Sequence, residues 1–284
     1  MKNIKLILIG MMIGIANVIP GVSGGTIAII FNIYDRLMEC ITLKVKVIFD
    51  NLDFLIPLGT GVAIGILGLS KIMEILFENY PQHTYFAFIG IIIGSLPLIY
   101  SKATKGNKQK LEIPSIIIFI FTLVLMVLLS FVNADKSSGT VLFTTLTPLS
   151  FVALFVSMII GTATMIIPGI SGSMLLIVMG MYQTIYFEAI NNFNIPLLIP
   201  SFFGGVTGLL LGAKLIRFLL GKYNQITYMG IMGLLVGSAY QLFLTNNISE
   251  INLNLGISIL IMMIMAMIIY WFSINEIKED KKII

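Results

Sequence analysis

Charged residues are scarce in this sequence. Only 11% of its 284 residues are Asp, Glu, Lys or Arg, whereas 58% are hydrophobic and the mean hydropathy is +1.03. A soluble domain of this size could not hide so much apolar surface, because a large part of any folded chain faces solvent. The composition therefore excludes a soluble protein and predicts an all-α polytopic membrane protein.

Cysteine and histidine are almost absent as well. Cys40 is the single cysteine, which excludes an intramolecular disulfide and a cysteine metal site. His83 is the single histidine, and in a predicted loop after Pro81 it is expected to be solvated rather than a ligand or base. The net charge of +4 lies in short loops without a basic stripe, so we expect no nucleic-acid partner. We also expect no metal and no cofactor.

Hydrophobic runs near 20 residues long are sufficient to cross a hydrocarbon core of roughly 30 Å. Six such spans are predicted at 54–75, 84–100, 113–133, 196–220, 227–245 and 255–274. Two longer apolar elements, 6–38 and 148–187, are each interrupted by Pro-Gly followed by small polar residues. Proline removes a helix hydrogen bond and glycine loosens the turn, so each element predicts two half-helices that meet at a break.

The two interrupted elements resemble each other. The first contains IPGVSGGT (Ile19–Thr26) and the second IPGISGS (Ile167–Ser173), at an offset of 148 residues that also aligns Tyr34 with Tyr182. Downstream the offset is 143, and the aligned pairs include Pro57 with Pro200, Gly61 with Gly204, Gly65 with Gly208, Lys71 with Lys214, Gln82 with Gln225, Tyr85 with Tyr228, Gly90 with Gly233, Gly94 with Gly237 and Ser95 with Ser238. Shared apolar composition does not explain an aligned lysine, glutamine and several glycines. The sequence therefore predicts an internal duplication, with repeats at 1–133 and 147–274.

Loop charge predicts how the repeats are oriented. The loop with Lys102, Lys105, Lys108 and Lys110 is expected in the cytoplasm, because lysine-rich short loops stay on that side. The other loop charges agree only if each interrupted element enters and leaves the membrane on one side, as a re-entrant hairpin. Three full crossings per repeat then invert the second repeat relative to the first and leave both termini in the cytoplasm. Inverted repeats with broken helices at the midplane are a recurrent plan of secondary transporters.

The breaks are the predicted binding site for an anion. The residues that follow the two Pro-Gly pairs are small or carry hydroxyls: Ser23, Gly24, Gly25 and Thr26, and then Ser171, Gly172 and Ser173. Each group begins a half-helix, where unpaired N–H groups and the helix dipole favour negative charge. Pro20 and Gly21, like Pro168 and Gly169, are expected to shape the turns. The alternative is a proline-kinked helix whose glycines allow close packing, and the two matched copies favour the anion site.

Three basic side chains are predicted to meet the phosphate on the two sides of the membrane, with the hydroxyl-lined helix starts between them. Lys71 and Lys214 occupy aligned positions near opposite ends of their spans, so one is expected toward each face of the membrane. Arg217 follows Lys214 by one turn, where the first repeat has Glu74, a partner for Lys71 or an ion-coupling residue. We predict that Lys71, Lys214 and Arg217 bind phosphate, although lysines at helix ends also snorkel to headgroups.

The opening motif G-x-x-N-V-I-P-G-V-S-G-G-T, from Gly14 to Thr26, and the later P-G-I-S-G-S resemble the bacterial polyprenyl-phosphate transporters, formerly a domain of unknown function. The resemblance covers nearly the whole chain. It implies a flippase in the bacterial cytoplasmic (inner) membrane that returns undecaprenyl phosphate, a carrier lipid of cell-wall synthesis, from the outer to the inner leaflet. The expected partners are that lipid and the surrounding membrane lipids. The expected mechanism is alternating access, in which one repeat rocks against the other.

An enzyme is one alternative, because undecaprenyl-pyrophosphate phosphatases resemble this chain in their inverted repeats and in a P-G-x-S-R-S-G-like tip. Gly24 and Gly172 stand where that motif has arginine. Hydrolysis needs a charge clamp and an acid–base or metal-holding group, so we predict that the protein is not an enzyme. A secondary transporter of a small soluble anion is the other alternative.

Overall fold

The computed structural model describes residues 2–18, 24–65, 75–76, 79–104, 110–131, 141–170, 172–245 and 253–283. These residues form twelve α-helices and one π-helix, and no strand is present among them. The first seven helices are α1 Lys2–Val18, α2 Gly24–Ile30, α3 Tyr34–Cys40, α4 Val45–Asp50, α5 Leu52–Ile64, α6 Pro81–Ala103 and α7 Ile113–Ser130. The later elements are α8 Pro148–Ile166, α9 Gly172–Val178, the π-helix Thr184–Asn191, α10 Ile195–Lys222, α11 Asn224–Thr245 and α12 Leu253–Ile283.

Six helices within the described ranges are long and apolar enough to cross a bilayer: α6, α7, α8, α10, α11 and α12. Five of them coincide with predicted spans, which confirms an all-helical polytopic membrane protein. The sixth, α8, is the first limb of the second interrupted element. The span predicted at 54–75 overlaps α5, and its continuation over 66–74 lies outside the described residues.

Several helices extend beyond their predicted bounds. Helix α12 continues to Ile283 and α6 already begins at Pro81, because hydropathy detects only the apolar middle of a helix and misses its polar ends. His83 therefore lies in the first turn of α6, half-buried, with Nδ1 2.7 Å from Ser258 Oγ on α12. The expectation of a solvated loop histidine is wrong.

The second interrupted element breaks where the sequence predicts. Helix α8 ends at Ile166, Gly169 has a φ of +90° in the left-handed region that favours glycine, and α9 begins at Gly172. The limbs are unequal, because the 19 residues of α8 span about 28 Å and the 7 residues of α9 about 10 Å. The break is present, and its first limb, Pro148–Ile166, agrees with the predicted start of the element at 148.

The two short helices α2 and α9 end in the same way. Asn32 and Gly180, which the 148-residue offset aligns, both have positive φ, at 56° and 71°. In each case the next residue donates its N–H to the carbonyl five residues earlier, at 2.9 Å after Asn32 and 2.8 Å after Gly180. This is the hydrogen bond of a Schellman C-cap, formed at aligned positions.

Close helix contacts also recur at aligned positions. Helix α1 packs on α5 and α8 packs on α10, in each case through glycines at which an added Cβ would overlap a carbonyl oxygen of the neighbouring helix. These contacts are Gly61 with Ile7, Gly204 with Phe155, Gly65 with Met11 and Gly208 with Ile159. Small residues here bring the helix backbones together.

The last span of each predicted repeat packs against a helix of the other predicted repeat. Helix α12 packs along α6, and α7 packs along α11. The contacts again lie at aligned positions, where a Cβ on Gly90 would overlap the carbonyl of Met262 and a Cβ on Gly233 that of Phe119. Since α6 also contacts α11, the helices α12, α6, α11 and α7 are joined by contacts in this order, and these four helices are named the central group.

Two units flank the central group. The first unit comprises α1 to α5, and the second comprises α8, α9, the π-helix and α10. They touch each other through α2 with α8 and α3 with α10, and they reach the central group through α2 with α6 and α10 with α11. Helix α2 lies deep in the molecule, and Ile27, Ala28 and Ile29 on it are all buried.

Candidate functional site

The predicted site residues divide into two sets. Those outside the described residues are Pro20, Gly21, Ser23, Lys71, Glu74 and Ser171. The described ones are Gly24, Gly25, Thr26, Pro168, Gly169, Gly172, Ser173, Lys214 and Arg217.

The second break lies against the first unit and the central group. The amide of Gly169 donates to Thr26 Oγ1 at 3.2 Å, and Ser238 Oγ of α11 donates to the Gly169 carbonyl. The hydroxyl of Tyr34 on α3 donates to the carbonyl of Ile166 at 3.1 Å. Thr26 and Ser238 are only 3% and 2% exposed. Both units and the central group therefore meet at one buried point.

The described residues of each predicted anion site lie in the first turn of a helix. Gly24, Gly25 and Thr26 begin α2, whereas Gly172 and Ser173 begin α9. Gly172 also has a packing role, because a Cβ there would overlap the carbonyl of Gly161 on α8. At the second break, Gly172 therefore both begins a helix and allows close packing. Phosphate binding by these residues stays a prediction.

Arg217 and Lys214 differ in their surroundings. Nη1 of Arg217 donates to the carbonyls of Met38 and Ile41, the latter at 2.7 Å, and so caps the C-terminal end of α3. A cation at that end satisfies free carbonyls and opposes the helix dipole. Lys214 is exposed and forms no ion pair or hydrogen bond with another described residue. Arg217 thus joins the second unit to the first, a role that its sequence position did not indicate.

A cluster of polar side chains that the sequence analysis missed joins three elements. Lys102 Nζ at the end of α6 lies 2.7 Å from Asp35 Oδ2 in the first turn of α3. The hydroxyl of Tyr228 on α11 donates to Asp35 at 2.7 Å from Oδ1 and 2.9 Å from Oδ2. Lys102 Nζ also lies 5.6 Å from the centre of the Tyr228 ring, within range of a cation–π contact. The side chain of Lys102 is 15% exposed and that of Asp35 is 48% exposed.

Two further ion pairs are present among the described residues. Lys5 Nζ lies 2.8 Å from Glu276 Oε1 and links α1 to α12, with the Lys5 side chain 61% exposed. Arg36 Nη2 lies 3.3 Å from Asp53 Oδ1 and its guanidinium stacks 4.5 Å from the ring centre of Phe54. Of the three lysine and arginine side chains in these pairs, Lys102 is the most buried.

The helical fold and the candidate spans define a polytopic membrane protein, and one of its described helices is interrupted at a buried junction. A family model described as undecaprenyl phosphate translocase-like matches residues 13–259, and the chain belongs to this family. The resemblance seen in the sequence motifs is thereby confirmed.

Two curated relatives are similar over most of their length. A polyprenyl-phosphate transporter of Staphylococcus aureus is 29% identical over 244 residues, which cover 84% of this chain and 85% of the relative. A polyprenyl-phosphate transporter of Vibrio cholerae is 30% identical over 256 residues, which cover 84% of this chain and 77% of the relative. No solved structure matches the chain.

Proposed function

We propose that this protein transports undecaprenyl phosphate, or a similar polyprenyl phosphate, from one membrane leaflet to the other. The observation that carries the proposal is the family match over 13–259, which includes both Pro-Gly breaks, the whole second interrupted element and all the described site residues. In this role the protein lies in the bacterial cytoplasmic membrane with both termini in the cytoplasm, and it recycles the carrier lipid for cell-wall synthesis.

The physical task explains the need for a polar path. A charged phosphate is very costly to place in about 30 Å of hydrocarbon, whereas the polyprenyl tail is stable there. We propose that the headgroup passes the first turns of α2 and α9, near Ser23 and Ser171, while the tail stays in lipid. Lys71 and Lys214 would meet the phosphate on opposite faces, and Glu74 is the proposed coupling residue.

We further propose that the two repeats are inverted and that each contains a re-entrant hairpin. The aligned C-caps at Asn32 and Gly180 support a duplicated structure, and so do the aligned contacts of Gly61 and Gly204. The packing of α9 on α8 supports a chain that turns back after the break.

The contacts of α7 and α12 favour a particular moving unit. Because each repeat contributes its last span to the other repeat, rocking of one repeat against the other would separate α6 from α12 and α11 from α7. The close backbone contacts at Gly90 and Gly233 oppose that separation. We therefore propose that the first and second units move against the central group.

A transporter also fits better than a phosphatase. The relatives are named transporters, and Gly172 stands where the phosphatase-like motif has arginine. A side chain at Gly172 would overlap the carbonyl of Gly161, so this backbone arrangement has no room for that arginine.

The test is a leaflet assay in proteoliposomes. Labelled polyprenyl phosphate is loaded into one leaflet, and its appearance in the other is followed with a reagent that cannot cross the membrane. The intact protein should accelerate this movement, and Ser23→Ala combined with Ser171→Ala should slow it, with Gly59→Ala as a control at an uncrowded position. Absence of acceleration would contradict the lipid assignment.

The same vesicles separate the alternatives. Release of phosphate from polyprenyl pyrophosphate would indicate an enzyme, and uptake of inorganic phosphate without lipid movement would indicate a small-anion transporter. Runs with and without a proton gradient show whether transport is coupled to protons.

A further inference from the structure

The ion pair between Lys102 and Asp35 differs from an ordinary surface pair. Lys102 is 15% exposed and lies over the Tyr228 ring, whereas the Asp35 side chain is 48% exposed at the molecular surface. A ligand can therefore approach Lys102 Nζ from the side on which Asp35 now lies. The pair also connects α3 of the first unit to α6 and α11 of the central group.

The Asp35 carboxylate has support that does not depend on Lys102. It accepts from the Tyr228 hydroxyl with both oxygens, and it lies in the first turn of α3, where the helix dipole favours a negative charge. Lys102, in contrast, has Asp35 as its charged partner. If the lysine leaves the pair, the Asp35 carboxylate remains stabilised by Tyr228 and by the helix dipole. The free energy of the exchange therefore depends mainly on the group that replaces Asp35 next to Lys102 Nζ.

The pair has no counterpart in the other repeat. The offsets align Asp35 with Gln183 and Lys102 with Thr245, neither of which carries a charge, whereas Tyr228 aligns with Tyr85. Packing of matched helices alone does not require a charged pair, since the other repeat packs without one. The charged pair is therefore a feature that distinguishes the two predicted repeats.

We propose that Lys102 binds the phosphate monoester headgroup of the transported lipid, which displaces the Asp35 carboxylate from the ammonium group. This inference rests on the proposed function and adds a residue to its site. A phosphate monoester carries up to two negative charges and three acceptor oxygens, so it satisfies a lysine better than one carboxylate oxygen does. Asp35, the partner that leaves, is the exposed one at 48%, so water and the Tyr228 hydroxyl stay available to its carboxylate after the exchange.

The exchange also affects the contact between the units. Tyr34, the neighbour of Asp35 on α3, donates to the carbonyl of Ile166 at the second break. Release of Asp35 from Lys102 removes one of the bonds that hold α3 against the central group. Headgroup binding at Lys102 would thereby loosen the first unit at the same point where the second break is anchored.

The experiment measures binding and transport with the full chain in nanodiscs and proteoliposomes. The probes are polyprenyl phosphate, the uncharged polyprenol and inorganic phosphate. Lys102→Gln should weaken polyprenyl phosphate binding roughly tenfold, because a charge-assisted hydrogen bond is lost. Asp35→Asn should strengthen it roughly two- to fivefold, because the competing carboxylate is neutralised while an oxygen remains for Tyr228. Lys5→Gln is the matched control, since it removes the same charge from another lysine–carboxylate pair.

Opposite effects of the two variants are the decisive result. A pair that only stabilises the fold predicts that Lys102→Gln and Asp35→Asn weaken binding alike, and that outcome would overturn the proposal. The charge-reversed double variant, Asp35→Lys with Lys102→Asp, would restore a structural pair. If Lys102 binds the headgroup, this variant should still bind polyprenyl phosphate weakly. Binding as tight as in the wild type would contradict the proposal. Thermal unfolding of each variant identifies any loss of binding that follows from misfolding. The conservative variant Lys102→Arg keeps the positive charge and should still bind the lipid.

The probes and the wild type separate the remaining outcomes. Binding of polyprenyl phosphate but not of polyprenol supports a headgroup site, whereas inorganic phosphate binding as tightly as the lipid would overturn the lipid assignment of this site. If the wild type moves the lipid and Lys102→Gln moves and binds it equally well, the inference on Lys102 fails alone. If the wild type does not move the lipid, the proposed function itself fails.

Discussion

The hydrogen bond between Gly169 and Thr26 provides the sharpest test of how the two units meet. Thr26→Val keeps the β-branched shape and removes the hydroxyl oxygen that accepts the Gly169 amide at 3.2 Å. Thr26 is 3% exposed, so little water can replace the lost acceptor. A buried amide left without its partner costs about 1–3 kcal/mol.

Hydrogen–deuterium exchange reads this cost at the amide itself. A loss of about 1–3 kcal/mol in the free energy of local opening corresponds to exchange of the Gly169 amide about 5- to 150-fold faster. Mass spectrometry of peptides around 166–173, with the protein in nanodiscs, resolves a change of this size.

A matched control separates the effect of losing the Thr26–Gly169 hydrogen bond from the general effect of losing a threonine hydroxyl. Thr227 Oγ1 donates to the carbonyl of Tyr223, four residues earlier at the start of its own helix, so Thr227→Val removes a hydroxyl without touching the break. Exchange at Gly169 should be unchanged in that variant. Equal exchange at Gly169 in the wild type and in Thr26→Val would refute the contact between the units.

Three further predictions follow from close packing and from the two cations of α10. Gly208→Ala should lower the free energy of unfolding by about 1–3 kcal/mol, because its methyl group would overlap backbone of α8. Gly59→Ala, with open space around it inside α5, should be at least as stable in denaturant as the wild type, and equal stability of both variants would contradict the packing. Arg217→Gln should cost about 1.5–3 kcal/mol through the lost cap on α3, measured by thermal unfolding. Lys214→Gln should leave the melting temperature unchanged but slow lipid movement in the leaflet assay, and an unchanged rate would count against its phosphate role.

Much of the fold could be predicted because its signals are local. Apolar runs mark helices in a bilayer whatever they pack against, since every backbone polar group must be satisfied within the segment. Pro168 and Gly169 mark the break by an equally local signal, because a proline and a glycine with positive φ interrupt a helix whatever it packs against. The ends of the helices were less predictable, as α12 shows, because polar terminal turns do not differ from loops in hydropathy.

The candidate site could be predicted only in part. Gly172 was recognised from a repeated motif, but its contact with Gly161 depends on how α9 folds onto α8. Arg217 was assigned to phosphate from its spacing after Lys214, whereas its bonds to α3 join residues 176 and 179 positions apart. Lys102 was read only as a sign of orientation, since its partner Asp35 lies 67 residues away.

The sequence by itself determined that the chain is a helical membrane protein and where one helix breaks, and it predicts which segments are copies of each other. Composition and motif carry that information residue by residue. Only the tertiary structure decided that α7 packs on α11, that α12 packs on α6, and that Asp35, Lys102 and Tyr228 meet. Glycine-lined helices of similar hydropathy present nearly equivalent surfaces, so the choice of partner depends on the packing of the whole molecule rather than on any one segment.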